Sequence, residues 1–228
     1  MSQDSKATGA GGNHAGVPLP LRYRPGRRLP QLYVGLVAYG ISMALIVAAN
    51  LGSMPWDVLH QGVGQKTSLT FGIVSILFGA VVLLLWIPLR QRPGLGTISN
   101  VFVVGLAADT AFTLLPTPDP LAVRIGYLVA GILLNAFATA LYIGARFGPG
   151  PRDGLMTGIA ARGHSIRLVR TSIEILVVAS GWLLGGTLGL GTIAYALAVG
   201  PLVQIILPRV TVPPPAPALA PGIATAPA

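Results

Sequence analysis

Two short phrases hold the residues best suited to bind a charged solute. LGSMPWDV (51–58) contains Trp56 and Asp57, and FGPGPRDGL (147–155) contains Arg152 and Asp153. Gly52, Pro55 and Asp57 recur as Gly148, Pro151 and Asp153, each ninety-six residues later. Proline suits the first turn of a helix, where its missing N–H costs nothing, so each phrase predicts a short helix, over 55–64 and 151–163. Asp57 and Asp153 then fall in that first turn, where a carboxylate can cap free N–H groups. Alternatively the two helix starts face each other across a cavity and attract an anionic group of a substrate. Arg152 takes the place that Trp56 holds in the first phrase. One side would then bind charge while the other stacks on an apolar or planar body. Arg152 as a plain marker of the inner membrane side is the competing reading.

Two further acids stand inside apolar stretches, where a central charge costs roughly 2.5–3.5 kcal/mol on translocon scales. Asp109 either snorkels or caps near the outer face, or is a protonatable site coupled to transport. Glu174 has Arg170 one turn earlier, a spacing that favours a structural ion pair; its alternative is again proton coupling. Thr97, Thr192, Asn100 and Asn135 are placed to bond back to carbonyls or to join helices. Gly181 and Gly185, like Gly131 with Ala136 and Ala140, permit close helix packing. His14, His60 and His164 are scattered without a ligand set, so no metal site is expected. There is no cysteine, nucleotide-binding loop or nucleophile–base pair, so neither a cofactor nor enzymatic activity is expected.

The elements that position these residues are membrane spans. Charged residues make up 9% of the 228-residue chain and mean hydropathy is +0.73, where a soluble domain carries about a quarter charged residues. Stretches without an ionisable group, 67–89 and 125–145, exceed the ~20 residues that cross a ~30 Å hydrocarbon core. Six spans are predicted, over 31–49, 70–89, 95–115, 123–145, 166–184 and 191–207. With the amino terminus inside, thirteen of the fifteen basic residues lie inside and only Lys66 and Arg124 outside, as the positive-inside bias demands. The net charge of +9 is thus a topological signature and not a sign of nucleic acid. No apolar segment near Met1 resembles a cleavable signal, so the first span is expected to remain. Small size leaves room for a homodimer but singles out no interface.

A second repeat makes the organisation explicit. GLGTI at 94–98 returns at 189–193, Gly105 matches Gly200, and Gly35 matches Gly131. The expected fold is therefore all-α, with two homologous three-helix halves, 30–116 and 121–209, each with a short half-helix or interfacial helix. A basic cytoplasmic arm (1–29) precedes them and a Pro/Ala-rich tail (210–228) follows, both expected to be disordered. Three spans is an odd number, so the second half enters from the opposite side of the membrane. Inverted repeats of this kind are the usual architecture of secondary transporters.

The arrangement resembles the bacterial YczE/YyaS/YitT family of integral membrane proteins, in its YczE-like branch. The resemblance rests on Gly52 with PWD at 55–57, GTISN at 96–100, and Gly105 followed by Asp109. In the second half it rests on GPGPRDGLM at 148–156, Arg170 with Glu174, GWLLGG at 181–186 and GTI at 191–193. It implies a polytopic inner-membrane protein, commonly classed among transporters, and supplies no substrate or catalytic residue to carry over. The expected partners are the lipid bilayer and a small-molecule substrate between the halves, near Trp56, Asp57, Arg152 and Asp153. The expected location is the bacterial inner membrane, multi-pass, with both termini cytoplasmic. A membrane scaffold supporting another protein is the alternative, marked by a sealed apolar interface with all four motif residues paired internally.

Overall fold

Proline and glycine punctuate the chain into helices. The computed structural model describes residues 18–215, and within them lie eight α-helices and no strand. They are α1 (Pro25–Ala49), α2 (Pro55–Thr67), α3 (Phe71–Leu89), α4 (Leu95–Leu114), α5 (Leu121–Gly144), α6 (Pro151–Ala160), α7 (Ile166–Leu183) and α8 (Leu190–Val210). Pro55 and Pro151 open α2 and α6. At 13 and 10 residues, these two rise only ~20 and ~15 Å, too little to cross a bilayer.

Five helices, α1, α3, α4, α5 and α8, are long and apolar enough to cross a membrane. Helix α7 occupies the fifth predicted span, but Arg167, Arg170 and Glu174 in its first half leave it less apolar than the others. Leu77, Leu84, Ile87, Leu106, Leu114, Leu183 and Leu197 are exposed on the outer faces of their helices. In water such a continuous apolar surface would aggregate; in a bilayer it is solvated.

The centre of the molecule is the α1–α5 pair. Leu32, Leu36, Met43 and Ile46 of α1 are buried against α5 residues including Leu128, Ile132 and Tyr142. A Cβ on Gly35 would lie 2.9 Å from Tyr142 N, and one on Gly131 would lie 2.6 Å from Ile46 Cγ1. The early turns of each helix thus meet the late turns of the other, so α1 and α5 run antiparallel.

The repeated phrases prove to be each other's contacts. Gly96 N donates to Phe147 O (3.0 Å), and Gly191 N donates to Leu51 O (2.7 Å). Each GLGTI segment thereby holds the turn that precedes the other half's short helix. Those turns pass through Gly52 at φ +113° and Gly148 at φ +122°, a left-handed conformation that costs glycine little. Side chains there are excluded twice over, because a Cβ on Gly52 would meet Gly189 N at 2.7 Å.

A third reciprocal pair escaped the sequence reading. Arg28 Nε donates to Ala145 O (2.9 Å) and its Nη2 to Arg146 O (3.0 Å), which ends α5. Arg124, ninety-six residues later, donates from Nε to Ala49 O (2.8 Å) and from Nη2 to Asn50 O, which ends α1. Each arginine supplies donors to carbonyls that a helix end leaves unpaired. Arg28 therefore does not belong to a disordered arm, and Arg124 is more than an outer-loop marker. The arm expected over 1–29 gives way to helix at Pro25, and residues 1–17 lie outside the described residues. Of the tail expected over 210–228, Val212 is buried and its N–H donates to Gly144 O (3.0 Å); residues 216–228 lie outside the described residues.

The halves also differ. Helix α3 packs on α4 through Gly72 and Gly105, where a Cβ on Gly72 would sit 2.1 Å from Gly105 O. Helices α7 and α8 make no comparable contact, and Gly200, the counterpart of Gly105, has open space where a Cβ would go.

Candidate functional site

The starts of α2 and α6 meet inside the protein. The Arg152 guanidinium carbon lies 5.0 Å from the centre of the Trp56 ring, a cation–π contact between residues that hold the same place in the two phrases. Arg152 Nη2 is 3.4 Å from His60 Nε2. A guanidinium only donates, so Nε2 accepts and the ring hydrogen sits on Nδ1. That Nδ1 faces Asp57 Oδ1 at 3.6 Å, beyond hydrogen-bond length. The imidazole is fixed by Phe71 and Phe78 of α3, 5.5 and 5.6 Å away between ring centres.

Polar atoms in this turn are buried without partners. Trp56 Nε1, both carboxylate oxygens of Asp57 and His60 Nδ1 make no hydrogen bond. The capping role predicted for Asp57 is therefore absent: its carboxylate accepts nothing from the helix start. Burial pushes the Asp57 carboxyl up from 3.8 to about 7, with Arg152 pulling the other way. Burial, reinforced by Arg152, holds the His60 imidazole well below its ordinary value, hence neutral.

Asp153 is held differently. Its Oδ2 accepts from the Tyr142 hydroxyl (3.0 Å), and no side-chain cap closes the start of α6. The first turn of α6 is positioned by Trp86, whose Nε1 donates to Pro151 O (3.0 Å). The Trp86 ring lies so close over Gly154 that a Cβ there would be 2.0 Å away. Arg152 and Asp153 line a cavity of about 70 Å³ with Tyr39, Ser75, Asn100 and Tyr142. A wider recess of about 490 Å³, lined by His60, Gln61, Gln65, Asp109 and Phe112, opens at the end of the molecule where α3 begins. His60 thus lines the recess and touches Arg152, which lines the inner cavity.

Asp109 and Glu174 stand apart from this junction. Asp109 on α4 accepts from the Thr70 hydroxyl (2.5 Å) and Gly72 N (2.6 Å), capping the start of α3. Glu174 takes the Arg170 Nε at 2.8 Å on an exposed flank of α7. Asn135 joins three helices, donating to Ser42 Oγ of α1 (2.8 Å) and accepting from Tyr195 of α8 (2.9 Å). Thr97 donates to Pro149 O (2.7 Å) in the opposite half's turn and not to its own helix.

The structure therefore brings together Trp56, Asp57 and Arg152, with Asp153 one cavity wall away. Sequence reasoning passed over His60 and Tyr142. His60 had a signal, Asp57 three residues earlier on one helical face, discounted because the search was for a metal set. Tyr142 had none, since its distance to Asp153 in the chain crosses a turn of irregular backbone.

A bundle with five helices long and apolar enough to cross a membrane, an apolar exterior and a buried charged junction between two half-length helices defines a polytopic membrane protein. The chain belongs to a family of unknown function (DUF6198), whose model matches residues 26–208. It is 45% identical over 177 residues to an uncharacterized protein of Haemophilus influenzae, covering 77% of this chain and 81% of that one. It is 31% identical over 181 residues to the uncharacterized membrane protein YczE of Bacillus subtilis, covering 78% and 84%. Identity to the uncharacterized protein YyaS of the same organism is 25% over 182 residues, covering 78% and 90%. No solved structure matches. The YczE/YyaS resemblance seen in the sequence thus holds along most of the chain.

Proposed function

We propose that the protein is a small secondary transporter or exporter of the bacterial inner membrane, non-enzymatic, with both termini cytoplasmic. In this reading α7 is a sixth span and the two halves form a three-plus-three inverted repeat. The antiparallel α1–α5 pair, the exchanged GLGTI contacts and the matched Arg28 and Arg124 caps support it, because each contact occurs twice, between positions equivalent at an offset of ninety-five or ninety-six residues. Alternating access follows from such a design when the halves exchange conformations around a shared site.

One observation carries the functional reading: Trp56, Asp57 and His60 are buried with unmade hydrogen bonds beside Arg152 at the junction. Each unsatisfied group costs about 1–3 kcal/mol, an expense that fold stability alone does not explain. A scaffold would pair these groups internally, and here they are unpaired. The cavity of about 70 Å³ has room for roughly five waters at ~10–15 Å³ each, so the solute that enters it is small and polar.

A thermal-shift screen of small organic and inorganic ions on detergent-purified protein selects the solute for assay. Its flux into proteoliposomes is expected to vanish in Asp57→Asn/Asp153→Asn while the variant still folds. Normal flux by that folded double variant would sink the proposed site.

A further inference from the structure

We propose that Asp57 is a proton-binding site, reached through His60 from the recess at the start of α3, and that this proton is the one coupled to transport. The coupling rests on the transporter reading; the proton site does not.

Charge balance at the junction identifies Asp57. The charged side chains there are Arg152, Asp57 and Asp153, so with both acids ionised the junction carries one uncompensated negative charge. The groups facing it from other elements do not cancel that charge. Tyr39 of α1, Tyr142 of α5 and Tyr195 of α8 are phenols, and α3 offers no titratable side chain. Arg170 of α7 lies within electrostatic reach of Asp153, but it is paired with Glu174 at 2.8 Å, so the two together add no net charge. Asp109 of α4 is committed to the start of α3. One proton restores neutrality, and only one acid is fitted to take it. Asp153 Oδ2 is already engaged by the Tyr142 hydroxyl, whereas Asp57 has no donor on either oxygen and both stand bare toward its neighbours.

His60 supplies the route. It lines the recess, contacts Arg152 through Nε2, and turns Nδ1 toward Asp57. A proton that enters from the recess and reaches Nε2 in place of the Arg152 contact is balanced by transfer of the Nδ1 proton to Asp57 Oδ1, once the 3.6 Å gap between them closes to hydrogen-bond length. The ring stays neutral in its other tautomer, and Asp57 becomes a neutral acid. With a hydrogen on Nε2 the imidazole no longer accepts from Arg152. Proton arrival therefore frees one guanidinium N–H while removing the carboxylate that offset its charge. Both changes turn Arg152 toward an anionic group in the inner cavity.

Infrared spectroscopy of the purified full chain in nanodiscs tests the proton site with no solute present. The wild type should show a protonated-carboxyl band at pH 6 that fades as pH rises through neutrality. Asp57→Asn should lack it and Asp153→Asn should retain it. After a pH jump, His60→Gln should lose the band about tenfold more slowly than the wild type. Absence of the band from the wild type, its persistence in Asp57→Asn, or an unchanged rate in His60→Gln would overturn the proposal. The wild-type titration can overturn the proposal even if a variant fails to fold. Because no transported solute enters the measurement, its failure is distinct from failure of the flux assay.

Discussion

A carboxyl group sealed from water with no donor on either oxygen keeps its proton to higher pH, and burial pushes Asp57 up to about 7. Between 3.8, its ordinary value, and about 7, the folded protein holds a proton that the unfolded chain has released. Raising the pH through that window therefore favours unfolding. His60 acts with the opposite sign, since its neutral form is preferred in the fold. Comparing the wild type with Asp57→Asn, which keeps His60, removes that contribution. The melting temperature of Asp57→Asn should gain on that of the wild type from pH 5 to about 7 and then run parallel to pH 8. Differential scanning fluorimetry in detergent measures this, and a constant difference across the range would refute it. At this scale the sequence revealed which types of residue could do chemistry but not their state. Asp57 and Asp153 look alike in the sequence; a tyrosine on another helix gives one a hydrogen-bond donor, and its absence leaves the other bare.

Elements were the most legible level. The Pro-started short helices predicted over 55–64 and 151–163 appear as α2 and α6, because proline, glycine and local hydropathy act within a few residues. Which glycines matter was less legible, since that depends on what lies opposite. A Cβ on Gly181 of α7 would meet Leu59 N of α2 at 2.4 Å, whereas nothing lies within 4 Å of one on Gly200 of α8. Gly181→Ala must push two backbones apart and should cost about 1–3 kcal/mol. Gly200→Ala keeps its space and gains helix propensity, so it should be neutral or stabilising by up to ~1 kcal/mol. Thermal unfolding of the two variants checks the contrast, and equal effects would contradict it.

For the whole molecule, the proposed transporter architecture is decided by the number of times the chain crosses the bilayer. The proposed sixth span requires α7 to cross, although its first half carries three charged residues. The chain has no cysteine, so a single introduced thiol reports its own location. In intact cells His164→Cys should resist a membrane-impermeant maleimide until the membrane is opened, and Leu188→Cys should react from outside. Reaction of both from one side would remove the sixth span and, with it, the odd number of spans per half that makes the repeat inverted. The missing α7–α8 packing, against the close α3–α4 contact, sets the two sets of helices apart.

Sequence by itself determined the local features: apolar stretches, the repeated phrases, short helices begun by proline, and a family likeness. These follow from interactions within a turn or two, or are visible as matching residues, and both leave marks along the chain. Only the tertiary structure decided that Gly96 grips Phe147, that Gly191 grips Leu51, and that Arg28 and Arg124 each close the other half's first helix. It also decided that His60 joins Asp57 to Arg152. Partners fifty or more residues apart share no periodicity, and whether a polar atom is satisfied depends on which helix face arrives against it. The residues that recur hold the molecule together; the differences between the two phrases, Trp56 against Arg152 and His60 against Met156, gather the charges where α2 and α6 meet.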